Sequence, residues 1–253
     1  MKTITIARNT VKEAIRDKIL YIILIFAFGM MGFSTLLYYL SMRQDVKIMK
    51  DIGLGMISLF GIIITLFIGS SMLFKEIDKK TIYTVLSKPL NRTTFIIGKF
   101  IGLCTVLLII TASLTISFFL VLFLKDVPFE LIFLESILFS YLEMVFIIAV
   151  TIFFSTLTSP IITTFCTLVV YLVGHSIEAI KIYIDKLDPG IMQKIMDFVF
   201  YFVPNLEATN LKNQVVYGES IGYHQGIMVV GYVIVYTLLL LYISSITFKH
   251  KDF

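Results

Sequence analysis

Glu143 is an ionisable residue in the middle of an apolar run, Phe129 to Ser155, of this 253-residue chain. An unpaired charge at the centre of a membrane helix costs about 2.5–3.5 kcal/mol on insertion scales. A carboxyl kept there lines a cavity, takes up a proton or is paired within the helix. The first two make Glu143 a candidate for a translocation path or for proton conduction. His175 and Glu178 stand one helical turn apart at the end of the next apolar run, where they form a local pair, with metal ligation as the sharper alternative. The remaining histidines, His224 and His250, are scattered. Cys104 and Cys166 fall inside apolar runs and read as small buried hydrophobes. No HExxH, CxxC or nucleophile-elbow spacing occurs, and Gly98-Lys99 is followed by Phe100 with Thr93 where a phosphate loop needs its first glycine. No active site, bound cofactor, metal centre or nucleic-acid partner is expected of this chain.

A second concentration of chemistry runs from Phe74-Lys75-Glu76-Ile77-Asp78-Lys79-Lys80-Thr81 to Arg92 and Gly98-Lys99. Lys75, Lys79, Lys80, Lys88, Arg92 and Lys99 outnumber its acids Glu76 and Asp78, which predicts the cytoplasmic side of a bilayer. Ile77, Ile82, Val85 and Leu86 fall at near-helical spacing, and Glu76 precedes Lys80 by four residues. Pro89 stops that helix, Lys88 before it is pushed toward extended geometry, and Asn91 can cap the next one. The reading is a short amphipathic helix at the inner membrane face, open to a cytoplasmic partner.

The elements that position these residues follow from composition. The chain is 58% hydrophobic, above the roughly 45–50% of soluble domains. At about 20 apolar residues per span there is room for six spans and little else. They are expected at 19–40, 52–74, 95–124, 129–155, 161–180 and 226–248. Pro128 suits the first turn of the fourth span, and Ser159-Pro160 caps and opens the fifth. No cleavable leader is expected, because the first apolar run starts late and is too long. Residues 1–18 read as an interfacial amphipathic helix, with Ile4, Ala7, Val11, Ala14 and Ile15 on one face. Gly61, Thr65 and Gly69 give the second span a small-residue stripe for close helix approach, and Gly98 and Gly102 give the third a GxxxG. Residues 181–225 are too long and apolar for a plain loop; Phe198 to Val203, stopped by Pro204, is too short to cross and reads as re-entrant or interfacial. Asn205, Glu207 and Asn210 read as loop structure. Basic residues crowd both termini and the 75–94 segment, so an even number of spans with both termini inside is expected. The fold class is an all-α integral membrane protein of six spans, in one domain covering 1–253.

Phe74-x-Glu76, Thr81, Leu86-Ser87-x-Pro89, Arg92 and Gly98-Lys99 resemble the signature between the second and third spans of ABC-2 type transporter permeases. Pro204-Asn205-Leu206-Glu207, Asn210-Leu211-Lys212 and Val216-Tyr217-Gly218 resemble the subgroup of permeases that serve nitrous-oxide-reductase or multi-copper-enzyme maturation. The resemblance implies the membrane subunit of an ATP-binding-cassette exporter in a bacterial or archaeal plasma membrane. It would pair with a second permease copy, identical or paralogous, and dock a separate cytoplasmic ATPase that holds the ATP and magnesium. It makes 75–94 the coupling segment, with Lys79, Lys80, Thr81 and Tyr83 touching the ATPase, Glu76 and Arg92 positioning the segment, and Leu86 on its apolar side. It makes 1–18 the connecting helix and Gly61, Thr65 and Gly69 candidates for helix or dimer packing. Two alternatives stand beside export. The chain could transmit ATPase work to a periplasmic or extracellular partner seated on 181–225, or conduct protons or ions through Glu143 with no ATPase.

Overall fold

The computed structural model describes residues 2–40, 45–78, 92–184, 204–212 and 222–249. Among these the secondary structure is helical: α1 (Lys2–Ile15), α2 (Lys18–Leu40), α3 (Asp45–Asp78), α4 (Arg92–Leu124), α5 (Ile132–Leu157), α6 (Pro160–Ile184), a 3-10 turn (Glu207–Thr209) and α7 (Tyr223–Lys249). Among the described residues five helices are long and apolar enough to cross a membrane, within α3, α4, α5, α6 and α7. The apolar stretch Leu20–Gly32 lies in α2, itself 23 residues long.

α5 is the central helix, packed on α3, α4, α6 and α7, while α2 lies on α3 and α4. Lipid is as apolar as a leucine side chain, so these contacts form through close packing rather than through escape from water. The glycines show how. A Cβ at Gly61 would run into Sδ and Cε of Met144 on α5, and one at Gly69 into Thr151. The stripe expected from Gly61, Thr65 and Gly69 therefore makes its close approach within this one chain. Thr65 donates its hydroxyl to the Gly61 carbonyl at 2.7 Å, so its polar atom is satisfied inside its own helix. Thr151 does the same to Ile147.

α1 lies against α4 rather than resting on lipid alone. Gly98 and Gly102 open the surface of α4, and Ile6, Thr10 and the carbonyls of Thr3 and Ala7 fill it. The buried face of α1 is thus Ala7, Thr10 and Ala14. Of the expected apolar face, Ala7, Val11 and Ala14 pack inward, while Ile4, 73% exposed, and Ile15 face outward. The cause is steric: the glycine surface takes small residues and backbone at its centre, with Ile6 and Val11 half-buried at its margin. Lys99, 1% exposed, turns inward from the basic island, with its ammonium 3.5 Å from Glu13 of α1.

The start of α4 also holds the end of α7. Phe95 stacks on Phe248 with ring centroids 5.8 Å apart. The N-terminal helix, the start of α4 and the last turn of α7 thus gather at one end of the bundle. At the other end Lys50 of α3 pairs with Glu130 at 2.8 Å and lies over the Phe133 ring. The turn before α5 is longer than expected. Asp126 takes a positive φ of 55°, and the helix begins at Ile132, so Pro128 precedes it instead of sitting in its first turn. α6 begins at Pro160, as the Ser159-Pro160 pattern requires.

Candidate functional site

Glu143 sits near the middle of α5, 1% exposed, among buried apolar residues such as Phe139, Met144 and Ile147. Its partner comes from the next helix. Glu143 Oε1 lies 2.8 Å from His175 Nε2 on α6. The other imidazole nitrogen, Nδ1, lies 2.9 Å from Glu207 Oε2 on the 3-10 turn. One ring therefore bridges two carboxyl groups from two different elements. The ring is fixed edge-on to Tyr171 one turn earlier, centroids 4.7 Å apart.

Glu207 reaches the ring because residues 204–212 fold back along α6. Leu206 donates its N–H to the Gly174 carbonyl at 3.1 Å, and a Cβ at Gly174 would meet Leu206 and the Pro204 carbonyl. Glycine inside a helix costs about 1 kcal/mol relative to alanine; here it admits another backbone. At a rise of about 1.5 Å per residue, Gly174 lies roughly 15 Å short of the end of α6. The side chain of Asn205 organises the turn: its Oδ1 accepts from the N–H groups of Glu207 and Ala208, and its Nδ2 donates to Glu178 at 3.3 Å. Its backbone N–H donates to the Tyr232 hydroxyl on α7 at 3.0 Å, which joins the segment to the last helix. Asn210 Nδ2 donates to the second oxygen of Glu207 at 3.0 Å.

Lys212 follows, largely buried, and interacts electrostatically with Glu143, Glu207 and Asp51. Burial holds its ammonium below the usual lysine range, against the pull of those carboxylates. Glu143 Oε2, the oxygen turned away from His175, is buried with no hydrogen-bond partner. Among the described residues no group of three His, Cys, Asp or Glu could hold a metal ion; the ring bridges its carboxylates on opposite edges, so they do not converge.

The sequence-derived residues distribute as follows. Glu143 and His175 come together, although 32 residues separate them. Glu178, expected to pair with His175, accepts from Asn205 instead. Glu207 and Asn205, read as loop structure, complete the site, and Gly174 and Lys212 were given no part in it. The signal available was a glycine beside a histidine inside an apolar helix, followed downstream by an isolated glutamate. Arg92 opens α4 and donates from Nη1 to the last carbonyls of α7, and Glu76 belongs to the last turn of α3. Lys79, Lys80, Thr81, Tyr83 and Leu86 lie outside the described residues, as do 185–203 and 213–221 of the 181–225 segment.

A bundle of long apolar helices with the N-terminal helix clasped to one end, and a polar segment folded against the other, is the build of a multi-pass membrane protein. Residues 4–253 match the model of the ABC-2 family transporter protein, and the chain belongs to that family. No curated protein matches it.

Proposed function

We propose that this chain is the permease subunit of an ABC exporter, driven by a cytoplasmic ATPase on a separate polypeptide. That ATPase carries the ATP and magnesium, and the permease works with a second copy of itself or a close paralogue. The observation that carries this reading is family membership over residues 4–253. In it α2 to α7 are six spans, and the end shared by α1, the start of α4 and the end of α7 is cytoplasmic. The concentration of basic residues on the termini and the 75–94 segment supports that side. The 23-residue length of α2 supports the span count, being enough for a sixth crossing. The membrane is the bacterial or archaeal plasma membrane.

The mechanism is mechanical. Residues 75–94 connect α3 to α4, and α4 starts in a rigid seat made by Gly98, Gly102, Lys99 and Arg92 against α1 and α7. A push on that segment moves four helices together rather than bending one. Lys79, Lys80, Thr81 and Tyr83 would touch the ATPase, with Glu76, Leu86 and Arg92 setting the segment's pose. Replacing residues 79–90 by a Gly/Ser linker should abolish co-purification with the ATPase encoded beside the gene, while the permease still inserts. Undiminished co-purification would defeat the coupling assignment.

A second reading keeps the ATPase but has the chain work a periplasmic or extracellular partner through 181–225, as in the maturation-permease subgroup. What favours it is the firm tie of 204–212 to α6 and α7, which would transmit helix motion outward. Pull-down from whole membranes with and without that segment distinguishes the two.

A further inference from the structure

The bridge between Glu143 and Glu207 has a proton count that ordinary ionisation does not meet. Each of the two N···O contacts at 2.8 and 2.9 Å needs one hydrogen between its heavy atoms. A neutral imidazole with two carboxylates supplies one. The second contact would then set a lone pair against a lone pair, in a place where Glu143 is 1% exposed and water cannot intervene. One further proton satisfies both contacts, whether it is written on the ring or on a carboxyl.

We propose that Glu143, His175 and Glu207 form a binding site for a single proton, and that the loaded site fastens residues 204–212 onto α5 and α6. The proton exchanges through Glu207, whose side chain is 29% exposed against 1% for Glu143. When it leaves, one contact turns repulsive and a buried carboxylate loses its donor. The 3-10 turn is the part free to withdraw, because both other groups sit on long helices. The docked state binds one proton more than the released state, so docking weakens as pH rises, by about tenfold per pH unit above the step.

The surroundings set where the step falls. Lys212 of the segment itself interacts with both Glu143 and Glu207 and so opposes the bound proton, while Asp51 of α3 acts on Lys212. Glu178 on α6 is engaged by Asn205, Tyr171 on α6 is hydrogen-bonded to Ser58 of α3, and Tyr232 of α7 accepts from Asn205. α5 contributes Glu143. This inference is independent of the exporter reading, since it concerns docking within one chain.

The test is amide hydrogen exchange at Leu206 to Asn210 in the full-length protein in lipid nanodiscs, corrected for the intrinsic pH dependence of exchange, from mildly acidic to alkaline buffer. Wild-type protection should fall with pH through one single-proton step. Glu143→Gln should give high protection that does not vary over the same range, because its amide donates to a neutral ring and the ring donates to Glu207. Glu207→Gln reaches the same result from the more exposed side and serves if the buried substitution impairs folding. His175→Phe should be weakly protected throughout. An alkaline titration should release one proton more from the wild type than from either glutamine variant. Wild-type protection that ignores pH, a glutamine variant that keeps the wild-type slope, or equal proton release would each overturn the proposal.

Discussion

The guanidinium of Arg92 donates to the Phe248 carbonyl at 2.8 Å and to the Lys249 carbonyl at 2.9 Å. The first residue of α4 thus caps the last turn of α7, supplying positive charge and two hydrogen bonds to carbonyls that lie past the end of the intrahelical ladder. Arg92→Ala should fray that turn at a cost of about 1 kcal/mol, discounted for partial exposure. Hydrogen exchange at residues 245–249 should accelerate, and Arg92→Lys should restore part of the protection. Unchanged exchange in Arg92→Ala would rule out the cap.

Gly98 and Gly102 should be intolerant for the same reason that α1 docks. Gly102→Val forces a side chain into Thr10 and the Ala7 carbonyl, and overpacking of this kind costs about 1–3 kcal/mol. Limited proteolysis should release α1 in that variant. Gly29, where a Cβ meets nothing, is the control: Gly29→Ala should be neutral or stabilising in thermal denaturation.

Gly61 and Met144 should be coupled energetically. Gly61→Ala clashes with the Met144 side chain and should lower the melting temperature, and the loss in Gly61→Ala with Met144→Ala should be smaller than the sum of the two single losses. Strict additivity in that cycle would mean the two residues do not meet.

Lys212 gives a pH dependence opposite in sign to that of the triad. Its folded-state proton affinity is depressed below the ordinary value of 10.5, so between the two values the unfolded chain binds more protons and stability rises with pH. Below that window the folded protein carries the full burial cost of the charge. Lys212→Met should therefore melt higher than wild type at neutral pH, with the advantage shrinking as pH approaches 10.5. It should also move the triad's step to higher pH, since a charge opposing the bound proton is gone.

The long helices were legible because about 20 consecutive apolar residues have few other uses. Gly98 and Gly102 announced a close approach but not what approaches. Periodicity put Ile4, Ala7, Val11, Ala14 and Ile15 on one apolar face of α1, but not that the glycine surface of α4 takes Ala7, Thr10 and Ala14 and leaves Ile4 and Ile15 exposed. Glu143 was conspicuous for the cost of its charge, yet its partner could not be read from spacing. A local rule pairs His175 with Glu178, and only the fold-back of 204–212 onto Gly174 brings Glu207 to the ring. Lys99 looked like part of a charged surface, and its inward turn depends on α1 lying alongside.

The hydrogen bond from Asn205 to Tyr232 orders the birth of this molecule. Tyr232 follows every residue of the three-residue bridge in the chain, so segment 204–212 gains its tie to the last helix only once α7 has been made. Synthesis itself thus decides when this segment can be fastened at both ends, to α6 through Gly174 and to α7 through Tyr232.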